Sequence, residues 1–199
     1  MDNDNRLNLS VSAVLLPHFF QLLEQGVILT APLGCSVRDF ICRHLDVDPR
    51  YLSDRIQTIF LDQKPVDDLD TALIRSQSVL ALSAAMPGLA GATMRKGGRF
   101  AAMRQGISCD AVSDRPSGQR TPVMVKYFNM VAKELGKTRF EKGARIRAAN
   151  LKWFFTKYPD TLTAGIHTAR LDDKKIDPQQ LAGISWRPFM FLQIIADQN

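Results

Sequence analysis

Apolar positions alternate at Leu7, Leu9 and Val11 and then run on unbroken into Leu15 and Leu16, which predicts a strand over residues 7–17, half-buried and then fully buried. Gly26 turns the chain into a second strand, VILT at 27–30, which Pro32 and Gly34 stop. Ser36 is a helix N-cap, with Asp39 completing an S-x-x-D capping pattern. Val37, Phe40, Ile41, His44 and Leu45 then fall on one helical face, and the DVDP stretch at 46–49 ends that helix. A third strand over 56–61, a tight turn at 62–65, a short edge segment at 66–69 and a final strand at 78–84 follow. The unbroken VLAL of the last strand predicts a central place in a sheet.

The second half restarts this order. Val123, Val125 and Tyr127 alternate as a strand, Arg139 and Phe140 mark a second, and Asn150 caps a helix with Leu151, Phe154, Phe155 and Tyr158 on one face. A strand at 166–171, a turn at 172–175 and a core strand at 189–195 complete it. Pairing 58–82 with 168–192 without a gap matches Thr58/Thr168, Leu61/Leu171, Asp62/Asp172, Lys64/Lys174, Asp67/Asp177, Ala72/Ala182, Ile74/Ile184 and Leu82/Leu192. Internal repetition sets the domain expectation: a unit at 1–92, a basic glycine-containing linker at 93–122, and a diverged unit at 123–199. Residues 93–104 have a second reading, as an arm packed back through Met94, Phe100 and Met103.

Charge sharpens the contrast between these blocks. Residues 1–92 carry 7 Lys and Arg against 11 Asp and Glu, residues 93–122 carry 6 against 2, and residues 123–199 carry 13 against 7. An acidic block tied to basic ones suits mutual attraction of the two halves or plain solubility, or else an anionic partner such as nucleic acid or a membrane surface. Cys35, Cys42 and Cys109 are odd in number and lack C-x-x-C spacing, so neither a disulfide framework nor a zinc finger is expected. No segment has the apolar length of a membrane span. A cytoplasmic protein, without membrane attachment, is the resulting expectation.

The order strand, strand, capped helix, strand, turn with edge segment, final strand is similar to the β-grasp, and the first unit resembles the MoaD/ThiS sulfur-carrier branch of the ubiquitin-like proteins. The tail carries the resemblance: MPGLAGA at 86–92 follows an apolar strand, and Gly97-Gly98 follows Arg95-Lys96. The resemblance implies an α+β fold of two tandem β-grasp units. It also implies a thin glycine tail able to thread into an E1-like adenylating enzyme, or a molybdopterin- or thiamin-type sulfur-transfer enzyme, and to leave as a thiocarboxylate. The carrier-tail candidates are Gly91, Gly97 and Gly98. Because the chain continues past them, carrier activity requires cleavage after Gly98, and the second unit ends without any glycine.

The leading functional expectation is therefore a non-catalytic protein-interaction module built on a carrier scaffold. A cleaved carrier precursor and a basic nucleic-acid-binding protein are the alternatives. No catalytic residue, metal or cofactor is expected, since no phosphate-cradling glycine motif occurs and His18, His44 and His167 lack ligand spacing. Cys35 lies just ahead of the Ser36 cap, where a helix dipole lowers a thiol pKa, yet no histidine has the context of a base. The basic contact candidates are Arg95, Lys96, Arg99 and Arg104, and the interface candidates are Trp153 and Trp186. Asp62, Asp67, Asp172 and Asp177 recur, and hydrogen bonding to their own backbone in tight turns accounts for them.

Overall fold

Only the alternating part of the first apolar stretch is a strand. In the computed structural model, which describes residues 4–85, 88–99, 118–185 and 187–197, β1 (Asn5–Val11) is followed by α1 (Leu16–Gln25). Pro17 sits in the first turn of α1, where its missing N–H leaves nothing unpaired. Leu16, Phe19, Leu22 and Leu23 form the buried stripe. The run through Leu15 and Leu16 concealed this helix, because its period becomes visible only beyond the proline.

The chain continues through β2 (Val27–Pro32), α2 (Val37–Asp39) with its π-helical continuation Phe40–His44, α3 (Pro49–Asp54), β3 (Thr58–Leu61), β4 (Lys64–Pro65), β5 (Val79–Ser83) and α4 (Gly88–Met94). Then come β6 (Arg120–Phe128), α5 (Asn129–Glu141), β7 (Ala144–Arg147), α6 (Ala148–Lys157), α7 (Pro159–Gly165), β8 (Ile166–Leu171), β9 (Lys174–Ile176), a short tight helix (Pro178–Gly183) and β10 (Phe189–Ala196). The class is mixed α+β. The Ser36 cap forms as expected, its hydroxyl accepting the Asp39 N–H at 3.1 Å.

Two local expectations are corrected. Arg139 and Phe140 lie in α5, where Phe140 is fully buried, and not in a strand. Asn150 does not cap α6: the helix starts at Ala148, whose N–H donates to the carbonyl of Pro188 at 3.0 Å and so finds a partner without a side-chain cap. The stripe Leu151, Phe154 and Phe155 is buried.

Contacts divide the chain into a continuous unit, residues 28–131, and a split unit, residues 1–27 with 132–199. These are other divisions than the sequential blocks 1–92, 93–122 and 123–199. They also redistribute charge: each unit holds 13 Lys and Arg against 10 Asp and Glu, hence +3 apiece. The polarity along the chain is therefore not a difference in net charge between the units.

In the continuous unit the strands run β4-β3-β5-β6-β2, with β3 antiparallel to β4 and β5, and β5 parallel to β6. Val37, Phe40 and Ile41 are buried together with Leu80, Leu82, Val123, Val125 and Tyr127. In the split unit the strands run β7-β10-β1-β8-β9, with β1 parallel to β10 and antiparallel to β8, and β10 antiparallel to β7. One face is the core side, built from Leu7, Leu9, Val11, Met190, Leu192 and Ile194. Phe19 of α1 meets Phe154 at 4.8 Å and Phe140 at 6.3 Å between ring centroids.

The repeated hairpin is real, and its aspartates have a different job from the one expected. Asp62-Gln63 and Asp172-Asp173 all have positive φ, the geometry of a tight two-residue hairpin turn. Asp62 accepts the Val79 N–H and Asp172 the Arg6 N–H, both at 2.7 Å. Each aspartate N–H also donates, at 2.9 Å, to the carbonyl of that same residue. The carboxylates thus clamp the hairpin to the neighbouring strand, not to their own backbone. Arg6 occupies the place of Val79, so β1 plays in the split unit the part of β5. The sequence counterpart of β5, β10, lies one strand further on.

Candidate functional site

Strand alternation puts half of each β-strand's side chains on the side away from the core. In the split unit that side is open. On β1 it presents Arg6, Asn8 and Ser10; on β10, Phe189, Phe191, Gln193 and Ile195; on β7, Arg145 and Arg147; on β8, Thr168 and Arg170. Register assembles them into rows. Arg145, Phe191 and Arg6 lie side by side across β7, β10 and β1, with Arg147 beside Phe189. One row along come Gln193, Asn8, Arg170 and Lys175 of β9.

Aromatic rings and cations are interleaved within these rows. The Arg145 guanidinium stands 4.2 Å from the centroid of Phe189, and that of Arg6 stands 5.2 Å from that of Phe191, contacts that favour a cation over a ring. Phe191 lies so close to Gly143 that a Cβ there would come within 2.1 Å of the ring. Glycine is needed twice at this position, because its φ is also +83°. Carboxylates are confined to the border. Asp4 pairs with Arg145 through both guanidinium arms, and Asp172 is engaged by Arg6 N–H and Asn5. Among the described residues, Arg6, Arg147, Arg170 and Lys175 make no ion pair.

This face is not apparent in the sequence. Phe189 and Phe191 fall within a stretch expected to be a core strand, whereas only Met190, Leu192, Ile194 and Ala196 of β10 point into the core. The available signal was the alternation in ARIR and FMF, which places charge or ring on one parity and small or aliphatic groups on the other. What no local pattern shows is that β1, β7 and β10 are neighbours.

Gly91 is buried within α4, so this part of the expected extended tail is helical. Gly97 has φ +59° and donates its N–H to Asp67, and Gly98 N–H donates to the Arg95 carbonyl, which makes the pair a turn. Lys96 is drawn inward: its N–H reaches the Gln57 carbonyl and its amine the Leu52 carbonyl at 3.2 Å. Burial, and then repulsion from Arg38, hold that amine below the usual lysine range. Of the arm read at 93–104, residues 93–99 pack back in this way, with Arg95 and Arg99 exposed, while Phe100 and Met103 lie outside the described residues.

Arg104 and Trp186 lie outside the described residues. Trp153 is exposed on α6 with the Lys157 amine 4.6 Å from its ring centroid, over an open hollow of about 520 Å³ shared with Ala149, Lys152 and Thr156. Among the described residues, its neighbours are those of its own helix and not of the basic sheet face.

The Cys35 thiol is pushed up from its ordinary value, by burial first and then by the charge of Asp39, against the lowering expected from the helix start. Cys42 is raised by burial as well. His44 stacks on Phe40 at 6.0 Å, and burial, reinforced by the charge of Arg120, lowers its pKa. Among the described residues, no group of three or more His, Cys, Asp or Glu is placed to hold a metal ion, and no helix is long and apolar enough to cross a membrane. No family model matches the chain, and neither a curated protein nor a solved structure matches it.

Proposed function

We propose that this chain is a non-catalytic binding module that engages an anionic macromolecule through the open sheet face of its split unit. The observation that carries the reading is the concentration of Arg6, Arg145, Arg147, Arg170 and Lys175 on one face of a unit whose net charge is only +3. Such a surface raises the local concentration of a polyanion and speeds its encounter. The raised thiols of Cys35 and Cys42 favour binding over nucleophilic chemistry, since the thiolate is the reactive form. In this reading the tandem β-grasp and its resemblance to the MoaD/ThiS carriers describe the scaffold. The parallel β5–β6 pair beside the antiparallel β3–β5 pair supports it for the continuous unit.

Heparin retention of the full-length protein tests the proposal. Arg147→Glu with Arg170→Glu, both exposed positions, is expected to elute at distinctly lower salt than the parent while keeping its far-ultraviolet spectrum. Elution at the same salt removes the open face as the binding surface. The carrier precursor is a separate reading that requires release of the Gly97-Gly98 turn; only full-length mass in protein from its native cells would sink it.

A further inference from the structure

Resting on the same open face, we infer that the partner is single-stranded nucleic acid, with Phe189 and Phe191 of β10 forming a stacking platform. An acidic protein segment needs cations alone, whereas this face interleaves cations with flat rings. The two rings project from alternate positions of one strand, about 6.7 Å apart along it, each with a guanidinium against it. Unstacked bases pack on aromatic rings and guanidinium planes alike, and this face supplies both kinds of group side by side. Of the four cations on this face that make no ion pair among the described residues, three are arginine, the side chain whose fork pairs with two phosphate oxygens at once. Arg147 beside Phe189 on β7, and Arg170 with Lys175 on β8 and β9 in the row beyond Phe191, flank the rings on the two sides of β10 across the sheet. A strand crossing the face can therefore set bases on the middle and phosphates on the flanks. Gly143, in the turn between α5 and β7, contributes by letting the Phe191 ring lie close against its backbone.

Fluorescence anisotropy of a labelled, unstructured single-stranded RNA with the full-length protein at low salt tests this assignment. Binding is expected with a log–log salt slope of roughly −3 if about four phosphates are neutralised. Phe189→Leu and Phe191→Leu should each weaken RNA binding about tenfold, the scale of a lost base–ring stack, without moving the salt at which the protein leaves heparin. If Phe191→Leu fails to fold because its ring supports the Gly143 turn, Phe189→Leu carries the comparison. The inference is overturned by an absence of RNA binding, by equal affinity of the Phe variants, by equally tight binding of the same sequence as a duplex, or by a polyglutamate peptide that displaces RNA at equal charge. In each of those cases an altered heparin elution of the Arg147/Arg170 variant still supports the broader binding reading, so the two fail separately.

Discussion

Thr58 shows how much one atom can matter. It belongs to the repeated set with Thr168, is fully buried on β3, and its hydroxyl has no hydrogen-bond partner among the described residues. Leaving such a group unpaired in the interior costs on the order of 1–3 kcal/mol. Thr58→Val, which keeps the shape and removes the hydroxyl, is expected to raise the melting temperature by about 2–4 °C per kcal/mol recovered. A fall in melting temperature would mean the hydroxyl is satisfied after all. Gly136 is the opposite case, a residue whose missing side chain is used. In the middle of α5 glycine is a poor helix former, but a Cβ there would come within 2.6 Å of the Phe20 ring on α1. The sequence marks Gly136 as a breaker, and only the packing shows it as a point of close helix approach.

At the scale of elements, the β3–β4 and β8–β9 hairpins were legible and their purpose was not. Repetition of Leu61/Leu171, Asp62/Asp172 and Lys64/Lys174 reflects one turn geometry used twice. The partner of each aspartate, Val79 in one case and Arg6 in the other, lies 17 and 166 residues away, so no window of sequence displays the pair. Asp62→Ala is expected to cost about 1–2 kcal/mol in a denaturation titration, by removing a charge-assisted acceptor for the Val79 N–H. Asp62→Asn, which keeps an acceptor and tolerates positive φ, should retain most of the stability. Equal loss in both variants would assign the effect to charge and not to the clamp. Elsewhere, short-range rules worked where the local cause was sufficient. The Ser36 cap and the buried stripe of α6 are such cases, whereas α1 and α5 were missed because an apolar run and a glycine obscured their period.

For the whole molecule, the decisive fact is that β1 and α1 pack with residues 132–199 and not with the strands that follow them. A fragment of residues 123–199, the second repeat as sequence defines it, lacks the strand that lies between β10 and β8. It also lacks Phe19, around which Phe140, Phe154 and Phe155 gather. That fragment is expected to be largely unfolded by circular dichroism and amide-proton dispersion, and to gain structure when a peptide of residues 1–27 is added. A cooperative fold in the fragment alone would contradict the split unit.

By itself, the sequence determined most of the strand inventory, the capped helix after β2, the recurrence of one hairpin and the excess of basic over acidic residues. These are set by side-chain period, turn stereochemistry and count, all local or additive quantities. Tertiary structure alone decided which strands are neighbours, and with that the candidate site. Parallel pairing of β1 with β10 joins residues 185 positions apart in register, and no periodic pattern encodes such a choice of partner. The row Arg145–Phe191–Arg6 exists only after that choice, because adjacency across a sheet is a property of pairing and not of composition.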